Sequence, residues 1–269
     1  MIPVSSIVCM VICAAVSAAV PVAAVVFFSK RARMNLSAIF LGLIMYVIFD
    51  SFLLNAFDAI LMQQFSGDIY SFIYSTGTGY TLYYGFIHAL FYSVGFYVAA
   101  RMTMRDDTGY GGGVALGLGC GGANLIMSKA WPMLTNVIAA NQINKNGVDS
   151  FIADNTADGI FSMKEALATL TDTPAVNFLI AGYDGILLFL VLVSLGVIIH
   201  LAATHRCSFS FIYLGMALFL VYQIFPAMYS VGLIGSVIIY EFLNTSVAAG
   251  IVVTTYYFTK KYGENPMRY

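Results

Sequence analysis

The side chains able to do chemistry are few, and they sit in unusual places. His88, Asp184 and Glu241 fall inside long apolar segments, as do Asp50 and Asp58. An ionisable group within a membrane span is costly, and its default reading is functional. A carboxylate and an imidazole brought together could move a proton or activate a water. His88, Asp184 and Glu241 are therefore the candidate catalytic residues. At ~1.5 Å of rise per residue, His88 lies roughly 12 Å below the outer surface. Asp184 lies at a similar depth and Asp58 somewhat shallower, so these three are placed to meet. Glu241 lies deeper and shares a helix face with Asn244 and Thr245. The plainer alternative is that these groups pair with one another, or with Tyr and Ser, and only fix helix register.

Other chemistries lack their signatures. No His-x3-His or His-x3-Glu marks a metal site, and no metal or cofactor is expected. No G-x-S-x-G elbow is present. Gly117-Leu-Gly-Cys-Gly-Gly122 satisfies G-x-G-x-x-G in form, but no strand precedes it, so it is not a nucleotide site. Cys9 and Cys13 lie one helical turn apart and read as small apolar packing residues.

These groups must be positioned by membrane helices. The chain is 60% hydrophobic and 9% charged, against roughly 25% charged in soluble domains. It cannot clothe a water-facing surface. A net charge of −1 also argues against nucleic acid as a partner. The expected partner is the lipid bilayer, joined by another membrane protein or transmembrane helix.

Apolar runs of about the ~20 residues a span needs are expected at 7–28, 36–62, 80–100, 111–127, 176–203, 208–225 and 230–259. Nothing basic precedes the first, so it reads as a helix and not as a cleaved signal. The fourth is expected to continue towards Ala140, tilted or broken at Pro132. The sixth is expected to stop at Pro226. Residues 141–174 form a polar extracytoplasmic loop. In it Ser162-Met-Lys-Glu165 predicts a capped, short amphipathic helix to Leu170.

Lys30, Arg31, Arg33, Arg101, Arg105, Arg206, Lys260, Lys261 and Arg268 fall on one side of this layout. Lys129, Lys145 and Lys164 fall on the other. By the positive-inside rule the N-terminus is outside and the C-terminus inside. The expected fold class is all-α, a polytopic membrane helical bundle of about seven transmembrane helices, one domain over residues 1–269. Gly113, Gly117 and Gly121 recur every four residues, a small-xxx-small stripe that lets a neighbouring helix approach closely.

Phe91-Tyr-Ser-Val-Gly-Phe96 and Gly119-Cys-Gly-Gly-Ala-Asn124 carry a resemblance. Their order and frame resemble the YhfC-type bacterial intramembrane peptidases, related to glutamate-dependent membrane proteases, with FEExGR-like and GHGGxE-like motifs. Thr173–Gly182 and Tyr183-Asp184-Gly185 look like that family's entry into the next helix. The resemblance implies a bacterial plasma-membrane protein with a polar, partly water-filled cavity. Tyr92, Ser93, Phe96, Cys120, Asn124, Asp184 and Glu241 would line it. The reactive side chains are replaced: Tyr92 and Ser93 stand for the paired glutamates, Phe96 for the arginine, Cys120 for the histidine and Asn124 for the second glutamate. None is a general base near neutral pH without strong help. His88, one turn before Tyr92, is the one nearby group able to restore base function.

The expected function is thus a peptidase-like scaffold, catalytically silent, that binds a membrane helix or peptide. An active peptidase with altered residues and a small transporter component are the alternatives.

Overall fold

The computed structural model describes residues 1–32, 34–64, 72–73, 75–103, 109–148, 151 and 167–263. Every regular element among them is helical. The helices are α1 (Val4–Ser29), α2 (Leu36–Met45), α3 (Asn55–Gln64), α4 (Gly77–Met102) and α5 (Tyr110–Leu125). They continue with α6 (Trp131–Asn146), α7 (Ala175–Ala203), α8 (Phe211–Ser230) and α9 (Val237–Tyr262). Two π-helical segments, Tyr46–Leu54 and Ile126–Ala130, join α2 to α3 and α5 to α6. Hydrocarbon offers the backbone no hydrogen-bonding partners, so a spanning segment must satisfy its own. Among the described residues six helical runs are long and apolar enough to cross a membrane. With the glycine-rich run through α5 this is an all-α membrane protein of about seven transmembrane helices.

Local signals set several boundaries. The Asn35 side chain caps α2 by accepting from the Ser37 amide at 3.0 Å. Thr76 caps α4 by accepting from the Gly79 amide at 3.0 Å. Gly147 follows α6 with φ of +85°, a backbone only glycine takes up freely.

Three boundaries differ from expectation. Pro226 does not stop α8, which runs on to Ser230. Proline removes one backbone donor, and membrane helices tolerate that where neighbours compensate. The stop comes at Gly232, whose φ of +76° turns the chain out of the helix. The following residues are turn, so α9 starts at Val237 and not at Ser230. Pro132 does not break the fourth span either. The irregularity is the π segment before it, and Pro132 sits in the first turn of α6, where its missing N–H is not needed. The expected cap at Ser162–Glu165 lies outside the described residues; 167–172 are helical.

The described chain falls into two compact units: Met1–Ala23 with Asn124–Ile186, and Ala24–Ala123 with Leu187–Tyr269. The first has an apolar core of Ile2, Met10, Ala140, Ile143, Leu170 and Phe178. Its N-terminal backbone is pinned by Asn144, which accepts from the Ile2 amide at 2.7 Å and donates to the Ile2 carbonyl at 3.0 Å.

The second unit is built on α5, whose residues from Gly111 onward are buried. Gly113 and Gly121 face Val197 and Phe189 of α7, and Gly117 lies against the Val193 backbone. On another side of α5, Gly119 meets Ile39, and Gly42 of α2 meets Leu116 and Cys120. A Cβ at any of these positions would press on a neighbour, most severely on backbone at Gly117, Gly119 and Gly42. In lipid, where no hydrophobic force drives helices together, such close approach supplies the packing energy. The α4 helix packs on α8 and on the α2–π–α3 run. No disulfide joins the four cysteines. Cys207 is buried in the loop between α7 and α8, and burial pushes its thiol up to about 11.

Candidate functional site

Tyr80, Tyr84, His88 and Tyr92 repeat every fourth residue along α4, so they form one stripe. The rings follow one another closely: Tyr80 to Tyr84 at 5.7 Å, Tyr84 to His88 at 4.1 Å, His88 to Tyr92 at 6.4 Å between centroids. Opposite runs the helix from Leu36 to Gln64, antiparallel to α4. Its Asp50 carboxylate lies 3.9 Å from His88 Nδ1 and accepts a hydrogen bond from the Tyr92 hydroxyl. Further along, the Tyr83 hydroxyl donates to Asp58. Tyr46 and Cys120 lie within electrostatic reach of Asp50 and Tyr92.

The π-helical segment explains how one helix presents Tyr46, Asp50 and Asp58 to the same neighbour. Each four-residue step along an α-helix drifts about 40° around the axis. The wider i→i+5 turn of the π segment takes part of that drift back. Asp50 sits in the middle of that segment. At nine residues it is longer than the single-turn π-bulges that are frequent at functional sites.

Depth alone puts His88 near Asp58 and Asp184. The structure pairs it with Asp50 instead, and Asp58 belongs to Tyr83. Depth estimates ignore which helix face is presented, and Asp58 lies two turns of helix beyond Asp50. A signal is present in the sequence all the same. Tyr46 and Asp50 on one helix, and His88 and Tyr92 on the next, share a four-residue step.

The motif positions are packed and neutral. Tyr92, Phe96 and Cys120 belong to the core of the second unit at 2%, 0% and 0% exposure. Ser93 is buried, and its hydroxyl has no hydrogen-bond partner among the described residues. Gly95 lies against Met45 and Phe49, where a Cβ would come within 2.9 Å of Met45 Cε. Asn124 and Asp184 belong to the first unit. Asn124 is buried and accepts from the Ser128 hydroxyl at 3.3 Å, while Asp184 is half-buried on α7. Glu241 is half-buried on α9, one turn from the fully buried Asn244. The Asn244 side chain donates to the Tyr240 hydroxyl at 3.3 Å, and Tyr240 stacks on Tyr229 of α8 at 4.5 Å.

Chemically, Asp50, His88 and Tyr92 bring together one carboxyl group, one imidazole and one phenol, with the phenol hydrogen-bonded to the carboxyl and the imidazole 3.9 Å from it. Two of these are metal donors, but among the described residues no three His, Cys, Asp or Glu side chains come together in a group that could hold a metal ion.

Comparison with curated proteins and with solved structures returns no match. The YhfC intramembrane metalloprotease family matches residues 16–244, through the α4 stripe, the glycine-rich helix and Asp184. That match spans most of the 269 residues, and the chain belongs to the YhfC intramembrane metalloprotease family.

Proposed function

We propose that this chain is a catalytically silent member of its family, one that holds a partner transmembrane helix. One observation carries this reading. Where the family's reactive side chains are expected, Tyr92, Ser93, Phe96 and Cys120 are neutral and buried. Water cannot be activated by a phenylalanine, the Tyr92 hydroxyl is already given to Asp50, and the Ser93 hydroxyl has no hydrogen-bond partner among the described residues. The family's name implies a metal, but the donor set of the described residues does not fit one: Asp50 and His88 lie 3.9 Å apart, and no third His, Cys, Asp or Glu among them joins the pair.

Helix binding is supported by polar groups facing outward from a membrane span. Ser51 and Asn55 are exposed, and Asp58 is half-exposed, on the helix that carries Asp50. Polar side chains at such positions bind neighbouring helices by hydrogen bonding. A photo-crosslinker placed at Asn55 should capture a membrane helix, and Ser51→Leu with a crosslinker retained at 55 should weaken that capture. The purified protein in bilayers should cleave no transmembrane reporter.

The 3.9 Å pairing of His88 with Asp50 favours one second reading, an altered peptidase using that pair. Reporter cleavage lost in both His88→Ala and Asp50→Asn would establish it and overturn the silent scaffold.

A further inference from the structure

A cavity of about 690 Å³ opens within the second unit, away from the Asp50 cluster. Four helices wall it: the end of α1, the start of α5, the middle of α7 and the last turns of α9. Its volume is in the range of small-ligand sites. The two ends of this cavity differ. Away from the cations its walls are mainly apolar, with Phe28, Val114, Phe189, Val193 and Val252, interrupted by the hydroxyls of Ser194 and Thr255. Its mouth, where α1 and α9 end and α5 begins, carries Arg31, Lys260 and the polar Tyr110.

Val252 and Lys260 are eight residues apart on α9, so the cavity runs about 12 Å from charged mouth to apolar floor. Arg31 is held in place there. Its guanidinium lies 4.1 Å from the centre of the Phe27 ring, and its carbonyl accepts from the Tyr110 hydroxyl at 3.4 Å. Among the described residues neither Arg31 nor Lys260 forms an ion pair with a carboxylate. Two cations therefore face an apolar slot, and nothing among the described residues neutralises them.

We propose that this cavity binds one anionic phospholipid of the surrounding bilayer. Its phosphate sits between Arg31 and Lys260, and one acyl chain lies against Phe28, Phe189 and Val252. A zwitterionic lipid would bring its own cation to the same place and lose the advantage. An extended peptide would need backbone partners that the largely apolar walls do not supply. Basic sites between transmembrane helices are suited to anionic headgroups for these reasons. The proposal does not rest on the silent-scaffold reading, since it uses none of the same residues.

The experiment mixes the purified full chain in detergent with phosphatidylglycerol and phosphatidylcholine of equal acyl length, and counts retained lipids by native mass spectrometry. One phosphatidylglycerol should be retained in preference to phosphatidylcholine. Each cation removed in Arg31→Gln and Lys260→Gln should lower retention about fivefold, the effect of one basic side chain at a membrane surface. The pair Lys30→Gln with Lys261→Gln removes the same charge outside the cavity and should leave retention unchanged. Val252→Trp, which fills the slot without touching charge, should lower retention as well. Equal losses in the two charge pairs, or equal retention of the two lipids, overturn the proposal. So does displacement of the lipid by inorganic phosphate alone, which would make this a free-anion site. A crosslinker at Tyr256 that links to a protein in membranes, and not to lipid, overturns it too.

Discussion

Two helices of the second unit repeat one kind of residue every four positions, with opposite results. On α5 the repeat is glycine, at 113, 117 and 121; on α4 it is Tyr80, Tyr84, His88 and Tyr92. The glycines remove side chains, so the α7 backbone comes in until a Cβ at Gly113 would lie 2.7 Å from Val197 Cα. That interface sets backbone against backbone, with His200 beside Gly113. The aromatic stripe does the reverse. It fills the space with rings and places polar tips opposite Asp50 and Asp58. Small residues give a membrane protein its cohesion, and large polar ones give it chemistry. The positions that resemble the family motifs straddle both, because Tyr92 and Ser93 lie on α4 and Cys120 on α5. All three are buried.

That contrast can be broken by substitution. The largest effect should come from Gly117→Val. Its side chain would collide with the backbone around Val193, and overpacking against something that cannot move costs about 3 kcal/mol. Loss of folded protein, or a matching shift in a detergent unfolding curve, checks it. Unchanged stability would mean that α5 and α7 are not in close contact.

Asp50→Ala should cost less, about 1–2 kcal/mol, because hydrogen bonds within membrane proteins reach only about that much. It removes the acceptor of the Tyr92 hydroxyl and the carboxyl group 3.9 Å from His88 Nδ1. Asp50→Asn keeps an acceptor and should recover part of the loss. Equal losses in the two variants would show that charge, and not hydrogen bonding, holds the stripe. Tyr83→Phe takes away the hydrogen bond to Asp58 and should cost about 0.6 kcal/mol by the same unfolding measurement.

The smallest effect belongs to Gly250→Ala. Gly250 lies inside α9, and a Cβ there would meet nothing within 4 Å. Alanine favours the helix by up to about 1 kcal/mol, so the unfolding curve should hold or move slightly upward. A loss comparable with Gly117→Val would remove the distinction between glycines that pack and glycines that do not.

Some of the site is legible in the sequence and some is not. His88 stands out because one imidazole inside an apolar run has few ordinary explanations. The stripe is half visible, since His88 and Tyr92 are one turn apart. Asp50 is visible as an intramembrane acid but not as the partner of His88. Pairing two helices requires their rotation and their relative sliding, and the π-helical segment alters the first without changing composition. The cavity at Arg31 and Lys260 is invisible, because its walls come from four segments far apart in the chain. In sequence those two residues are only loop charges.

What the sequence determined by itself is what depends on near neighbours. Its apolar runs and scarcity of charge require membrane helices, since no other local structure satisfies the backbone in lipid. The four-residue glycine spacing is likewise written along a single helix. Tertiary structure decided the rest: which carboxylate faces His88, that α8 passes through Pro226 and turns at Gly232, and that Tyr92, Ser93, Phe96 and Cys120 are buried. Each of these depends on how one helix face meets another, and that is settled by the packing of whole surfaces, which no single segment contains.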